Sequence, residues 1–376
     1  MAVLIISNGH GEDALAAVLA KKLKDYINDQ ILALPLVGLG LAYDQAGIEK
    51  IHSQPLLPSG GFAYLGWKNL RDDLESGLFK QIADQKKVLR NLKGIQLAIC
   101  VGDTYNLLLT AQNLKTEIVF IPTAKSNYIK PHSFPEVAIM RKKARVVLPR
   151  DEVTATDLKR RGVKAKCLGN LMMDAIDLKG IALNLPNPIG ILPGSRKDAA
   201  INLRAILQVV EKTKIRDHYL VALTKDFDIA SFIATVDWQR DTSQFATCVL
   251  KKGAKKIYLC QNLFGDIISQ SEIVIGLSGT GNEQAAGLGK PVVTFIGEGT
   301  QFTAYFARKQ KKLLGEAVFL VEADYEQVAK VVDYLALHPL ECLQRGLVGK
   351  ERMGPPGASK MMAVLIADIF NKEVGS

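Results

Sequence analysis

Two short apolar runs in the second half of this chain each stop at a turn of small residues and restart as a helix. That pattern constrains the fold more than any other feature of the sequence. Ile189-Gly190-Ile191-Leu192-Pro193 runs into Gly194-Ser195-Arg196, and an apolar-periodic helix follows from Ala199. Further on, Ile273-Val274-Ile275-Gly276 leads to Ser278-Gly279-Thr280-Gly281-Asn282-Glu283-Gln284, then to Gly289-Lys290-Pro291. A strand that hands over to a helix through glycine leaves backbone N–H groups free, and such groups hold phosphates. Two such turns in one half of the chain predict a nucleotide diphosphate site, with Arg196 as its charge partner.

The same alternation runs through the rest of the chain and predicts βαβ units on parallel sheets. Strands are expected at 3–7, 30–34, 97–101, 117–121 and 145–148, then at 189–192, 219–222, 273–275 and 292–295. Helices are expected at 13–26, 68–91 and 154–161, then at 199–214, 264–269, 282–288 and 325–337. A chain of 376 residues is too long for one ordinary core and fits two domains of roughly 150–200 residues each. The domain boundary is expected near 177–188, where Asn184, Pro186, Asn187 and Pro188 make a linker-like run. An apolar-periodic tail, 360–370, follows Gly354-Pro355-Pro356-Gly357.

Five scattered cysteines without CxxC spacing argue for a reducing compartment and against a zinc site. The first residues, Met1 to Ile6, read as a strand rather than a signal peptide, and no segment qualifies as a transmembrane helix. The formal charge is +10. Basic residues cluster at Arg141–Arg145, at Lys251, Lys252, Lys255 and Lys256, and at Arg308–Lys312. Such clusters suit anionic head groups or diphosphates, or are simply solvated surface. No helix-turn-helix, zinc finger or RNP-like motif accompanies them, so nucleic acid is not expected.

The two glycine turns are similar to the donor-site motifs of the lipid-A-disaccharide synthase family. Leu168-Gly169-Asn170 leading to Met173-Asp174-Ala175-Ile176, and Gly11-Glu12-Asp13-Ala14-Leu15, extend the resemblance over nearly the whole chain. It implies a GT-B fold: two Rossmann-like, doubly wound parallel-sheet α/β domains facing across a cleft, with the last helix crossing back. The expected division is 1–180 for the acceptor side, 181–350 for the UDP-sugar side and 351–376 for the returning helix. It implies inverting transfer of a sugar from a UDP-sugar donor to a hydroxyl acceptor, a lipid or lipid-linked sugar. No cofactor and no metal are implied. A cytoplasmic protein, peripheral on the inner face of an anionic membrane, would suit that reading.

Gly194, Ser195, Arg196, Ser278, Gly279, Thr280 and Gly281 are the candidates for holding the diphosphate, with Asn282, Glu283 and Gln284 beside them. The family carries a glutamate where this chain has Gln284, so either Glu283 or Gln284 would contact the ribose. The other reading of these turns is structural, with Ser195 and Ser278 as helix caps. For the base that deprotonates the acceptor, Asp103 comes first, because it follows the strand 97–102 at its carboxyl end, where α/β sheets place ligands. This chain has one aspartate there, in Gly102-Asp103-Thr104-Tyr105-Asn106, where the family has two. That fits a different acceptor, or a cap role for Asp103. His10, in a glycine-flanked turn, is the second candidate. Asp13 would cap the first helix or bond to acceptor or base.

Other segments leave choices open. Gly60-Gly61-Phe62-Ala63-Tyr64-Leu65-Gly66-Trp67 could line an acyl groove, touch a bilayer or pack on the core. Lys125, Tyr128, Lys130 and His132 could face an anionic acceptor or be plain surface. Three rival functions stand beside glycosyl transfer. A UDP-sugar epimerase would share the fold but commonly has a Gly-Thr-Arg-Pro run absent here. A non-catalytic nucleotide-sugar-binding protein would bind UDP without turnover. A dehydrogenase reading of Gly9-x-Gly11-x-x-Ala14 wants an acidic residue after the second strand, where Pro35 stands.

Overall fold

The computed structural model describes residues 1–53, 78–195, 197–243, 245–300, 302–322 and 324–374. The chain divides into two compact units, Met1–Ala175 with Pro356–Ser376, and Ile176–Pro355. The glycine-rich segment 60–67, the first part of the helix expected at 68–91, and Arg196 lie outside the described residues.

The first unit holds β1 (Ala2–Ser7), β2 (Gln30–Pro35), β3 (Glu49–Lys50), β4 (Ile95–Gly102), β5 (Glu117–Pro122) and β6 (Val146–Val147). Its helices are α1 (His10–Leu23), α2 (Leu41–Gln45), α3 (Leu78–Asn91), α4 (Thr104–Asn113), α5 (Phe134–Lys143), α6 (Glu152–Arg160) and α7 (Leu171–Asp174). The sheet order is β3-β2-β1-β4-β5-β6, and every pairing is parallel. Strand side chains alternate between faces. Val3, Ile5, Ile99, Val101 and Val119 therefore enter one core with α1, while Leu4, Ile6, Ala98, Cys100 and Phe120 enter the other. With both faces covered, β1 is buried along its whole length, which is why it reads as a continuous apolar run.

The second unit holds β7 (Ile189–Leu192), β8 (His218–Leu223), β9 (Gln239–Asp241), β10 (Cys248–Lys252), β11 (Lys255–Gln261), β12 (Ile273–Gly276), β13 (Val292–Phe295) and β14 (Val318–Val321). Its helices are α8 (Ala199–Lys212), α9 (Ile229–Ile233), α10 (Phe264–Gln270), α11 (Thr280–Gly287), α12 (Ala304–Leu314), α13 (Tyr325–Leu337) and α14 (Pro339–Met353). The order is β14-β13-β12-β7-β8-β11-β10-β9. It is parallel from β14 to β11, with β10 and β9 added antiparallel. This antiparallel extension departs from the expectation of parallel sheets alone. The basic cluster at Lys251–Lys256 is the tip of that hairpin. Lys252 faces Lys255 across Gly253, whose φ is +62°, so glycine supplies the turn. Three of those lysines are paired. Lys252 pairs with Glu211 at 2.9 Å, Lys256 with Asp241 at 3.1 Å, and Lys255 bonds the Thr213 carbonyl.

The segment from Asp177 to Leu183 is tied to α10. Asp266 accepts from the N–H groups of Lys179 and Ile181, and Gln270 from that of Leu183. The final helix, α15 (Ala358–Val374), belongs to the first unit. Met362, Ala363, Ile366 and Phe370 pack in the core of α1. Its start is fixed by Asp174, which accepts from the backbone N–H of Gly357 and of Ser359, satisfying donors that an open helix end leaves unpaired. Among the described residues no helix is long and apolar enough to cross a membrane.

Candidate functional site

In the second unit the two glycine turns lie at the carboxyl ends of neighbouring strands, since β7 and β12 pair directly. The Leu277 N–H donates to the Leu192 carbonyl at 2.9 Å, locking one turn to the other. Gly194 has φ +96°, a conformation side chains rarely adopt. A Cβ there would also lie 3.3 Å from the Leu277 carbonyl. At Gly276 a Cβ would fall 1.9 Å from Asn282 Oδ1, so glycine is what lets Asn282 reach back. Asn282 Nδ2 donates to the Gly276 carbonyl at 3.1 Å and to Gln310 Oε1 at 2.8 Å. Gln310 Nε2 in turn donates to the carbonyls of Ser278 and Gly279, at 3.2 and 2.9 Å. A buried amide pair thus fixes the path of the turn from below.

This changes the roles expected at the turn. Asn282 is fully buried and holds the turn rather than facing its mouth, and Gln284 is buried as well. Gly279, not Ser278, is the N-cap of α11, and it makes no side-chain cap bond. Asp198, not Ser195, precedes α8, also without a side-chain cap bond. Asp198 instead accepts from Thr300 at 3.1 Å. The structural reading of Ser195 and Ser278 as caps is therefore corrected. Among the described residues their hydroxyls, and that of Thr280, have no hydrogen-bond partner. Ser195 and Thr280 are exposed, Ser278, Gly279 and Glu283 half-buried, and Gly281 buried. Free hydroxyls beside the unpaired N–H groups of a helix start form an anion cradle.

In the first unit the chemistry gathers at the carboxyl ends of β1, β4 and β5. Asp103 is the N-cap of α4, accepting from the Asn106 N–H at 3.2 Å, while its own N–H meets Asn8 Oδ1 at 3.3 Å. The cap role is thus real, yet the side chain remains exposed. Crowding by the surrounding turn raises its carboxyl pKa, and the N–H groups of Asn106 and Tyr105 oppose that. Gly102, with φ +137°, leaves room for Asn8, whose Oδ1 would lie 1.7 Å from a Cβ. His10 is the exposed first residue of α1.

Glu12, which the sequence reading quoted only as part of a motif, shares this mouth. Its carboxylate folds back over Gly9, where a Cβ would meet Oε2 at 2.4 Å, and lies 3.5 Å from Thr123 Oγ1. Burial raises its pKa, and the charge of Asp103 adds to the rise. Glycine at the helix start, three residues before a glutamate, was the signal available in the sequence.

Asp13 does not cap α1, contrary to expectation. It is 1% exposed and turned inward. Ser7 Oγ donates to its Oδ1 at 2.6 Å and shares a 2.6 Å bond with Tyr43 OH. Among the described residues its Oδ2 has no partner. Burial lifts its pKa to about 7, and the neighbouring charge of Glu12 adds to the rise. Lys125 is not free either. It binds both oxygens of Glu136, at 2.6 and 2.7 Å. The same carboxylate closes a capping box with Ser133 and is held near 2, burial opposing the Lys125 and Ser133 bonds that win. His132 is buried and its pKa lowered by that burial. Among the described residues no group of His, Cys, Asp or Glu is placed to hold a metal ion.

No protein-family model matches this chain, and no curated protein matches its sequence. Solved structures do match its fold. S. aureus MnaA, in a co-structure with UDP, aligns with a TM-score of 0.64 at 14% identity, over 98% of this chain and 97% of that one. UDP-GlcNAc 2-epimerase from Neisseria meningitidis, bound to UDP-GlcNAc, gives 0.59 at 16% identity, over 98% and 100%. CalG4, the calicheamicin glycosyltransferase, gives 0.64 at 12% identity, over 100% and 98%. None of these matches singles out the lipid-A-disaccharide synthase family. What they share with this chain is architecture: it has the GT-B fold, with two Rossmann-like parallel-sheet domains.

Proposed function

We propose that this chain is a UDP-sugar-dependent enzyme that transfers the sugar to a hydroxyl acceptor with inversion. The observation that carries the reading is the anion cradle of the second unit, where two glycine turns on paired strands present the free hydroxyls of Ser195, Ser278 and Thr280 beside the start of α11. Such a cradle stabilises charge developing on a leaving diphosphate. Arg196 follows Ser195 in the sequence and supplies the matching cation. In the step, the acceptor O–H proton passes to a base as oxygen bonds to the anomeric carbon and UDP departs with the bonding pair. Glu12 joins Asp103 and His10 as candidates for that base. A raised carboxylate pKa brings a base closer to its working pH. The sequence resemblance supports a lipid or lipid-linked acceptor.

A second reading, epimerisation within a single UDP-sugar, is favoured by the whole-chain likeness to a UDP-GlcNAc 2-epimerase. Calorimetric titration with UDP, beside NADH, tests the common ground. UDP should bind, and Arg196→Ala or Ser278→Ala with Thr280→Val should weaken it by about tenfold or more. Absence of UDP binding by the folded protein would overturn both readings. Incubation with UDP-GlcNAc alone then separates them. An epimer formed without acceptor supports the second, and UDP release that requires a lipid extract supports the first.

A further inference from the structure

The outer face of α14 is apolar. Leu340, Leu343 and Leu347 are 76%, 61% and 57% exposed. Their spacing sets them on one stripe, opposite Cys342, Gly346, Gly349 and Met353, which are buried. The buried side is unusually close to its neighbour. A Cβ on Gly346 would lie 2.2 Å from the Gly289 carbonyl, and one on Gly349 2.2 Å from that of Ala286. The helix is therefore held against α11 by backbone contact, and its leucines are the side that cannot turn inward.

Charge surrounds this stripe unevenly. The Lys350 stem lies against Gly289, and the Lys350 charge, after burial, lowers the pKa of Lys290. Lys309 and Lys312 sit on α12, which packs on α14. Among the described residues these four lysines have no carboxylate partner. The acids nearby are largely spent: Glu316 on Lys311 and Arg345, Glu341 on Arg345, and Glu322 on Arg308. Among the described residues Glu351 is the one acid of α14 without an ion pair. Three leucines expose on the order of 300–400 Å², about half of the ~800 Å² per partner of a stable protein interface. A two-fold mate would also bring like charges together. A small apolar stripe beside uncompensated lysines suits an anionic bilayer, where leucines enter the acyl boundary and ammonium groups meet phosphates.

We propose that the Leu340–Leu343–Leu347 face of α14 docks this protein on anionic lipid membranes, with Lys290, Lys309, Lys312 and Lys350 facing the head groups. This does not depend on the reaction assigned above. The test is co-sedimentation of the full chain with vesicles of phosphatidylcholine alone or with one third phosphatidylglycerol. Binding is expected to the anionic vesicles, falling about tenfold or more as salt rises from roughly 0.05 to 0.5 M. Leu343→Asp with Leu347→Asp should remove most of it. Lys350→Gln with Lys312→Gln should weaken it several-fold, with UDP affinity and the melting profile unchanged in both variants. The proposal is overturned if the wild type ignores anionic vesicles, or if the leucine variant binds them as well as the parent. It is equally overturned if the leucine variant instead converts a dimer to a monomer in sedimentation velocity.

Discussion

Replacing Asp13 with asparagine should make the first unit more stable than its parent at pH 8 but not at pH 5. The carboxyl is 1% exposed, with one oxygen bonded to Ser7 and the other unpartnered. Burial lifts its pKa from 3.8 to about 7. A raised carboxyl pKa means that the folded state holds a proton the unfolded state has released. Its stabilising contribution is therefore complete below the unfolded pKa and is lost as pH rises through the folded value. Between pH 5 and pH 8 the unfolded chain is ionised throughout, while the folded one stays protonated over roughly two of the three pH units. At 1.36 kcal/mol per unit that is about 2.7 kcal/mol of lost stability. Asparagine keeps an acceptor for Ser7 and never ionises, so its advantage over aspartate should grow by about 2.5 kcal/mol across that window. Urea unfolding followed by circular dichroism, for both proteins at both pH values, gives the difference directly, and all other titrations cancel. A difference independent of pH would refute the reasoning, as would a carbon-13 carboxyl resonance of Asp13 that titrates near 4.

Two further substitutions probe the packing that shapes each unit. Gly276→Ala puts a methyl 1.9 Å from Asn282 Oδ1, so it should displace the amide that holds the turn and cost about 1–3 kcal/mol; chemical denaturation and UDP titration should both register it, and unchanged UDP affinity would show that the turn keeps its shape without Asn282. Asp174→Ala removes the acceptor for the N–H groups of Gly357 and Ser359 and should loosen α15 by about 1–2 kcal/mol, read as faster amide exchange along 358–370 with little change in the second unit.

The parts of this molecule that were legible in the sequence are those decided locally. The strands β7 and β12 announced themselves because a doubly covered parallel strand is apolar throughout, and their glycine turns followed at once. Asp103 was placed correctly at a strand mouth and as a cap, both being matters of neighbouring residues. What escaped depends on distant partners. Asp13 reads as a first-turn acid like any other, and its depth comes from Ser7 and Tyr43, the latter on another helix. Glu12 is partly buried beside Thr123, 111 positions away. Asn282 reads as a polar residue of a ligand turn, yet Gln310, 28 positions away, takes its amide inward. The hairpin of β10 and β11 was hidden by composition, since Lys251 to Lys256 looks like solvated charge until Glu211 and Asp241 arrive from elsewhere.

The position of α15 has a consequence for how the chain matures. The second unit is one uninterrupted run, Ile176–Pro355, whereas the first is written in two pieces around it. During synthesis the second unit has all its residues first. The earlier sheet waits, with the α1 side of its core open, until Met362, Ile366 and Phe370 have been made. For the time taken to translate the intervening residues, an apolar helix groove stands uncovered on the nascent chain. A ribosome stalled before α15 would leave behind a completed second unit attached to a first unit that lacks Met362, Ile366 and Phe370.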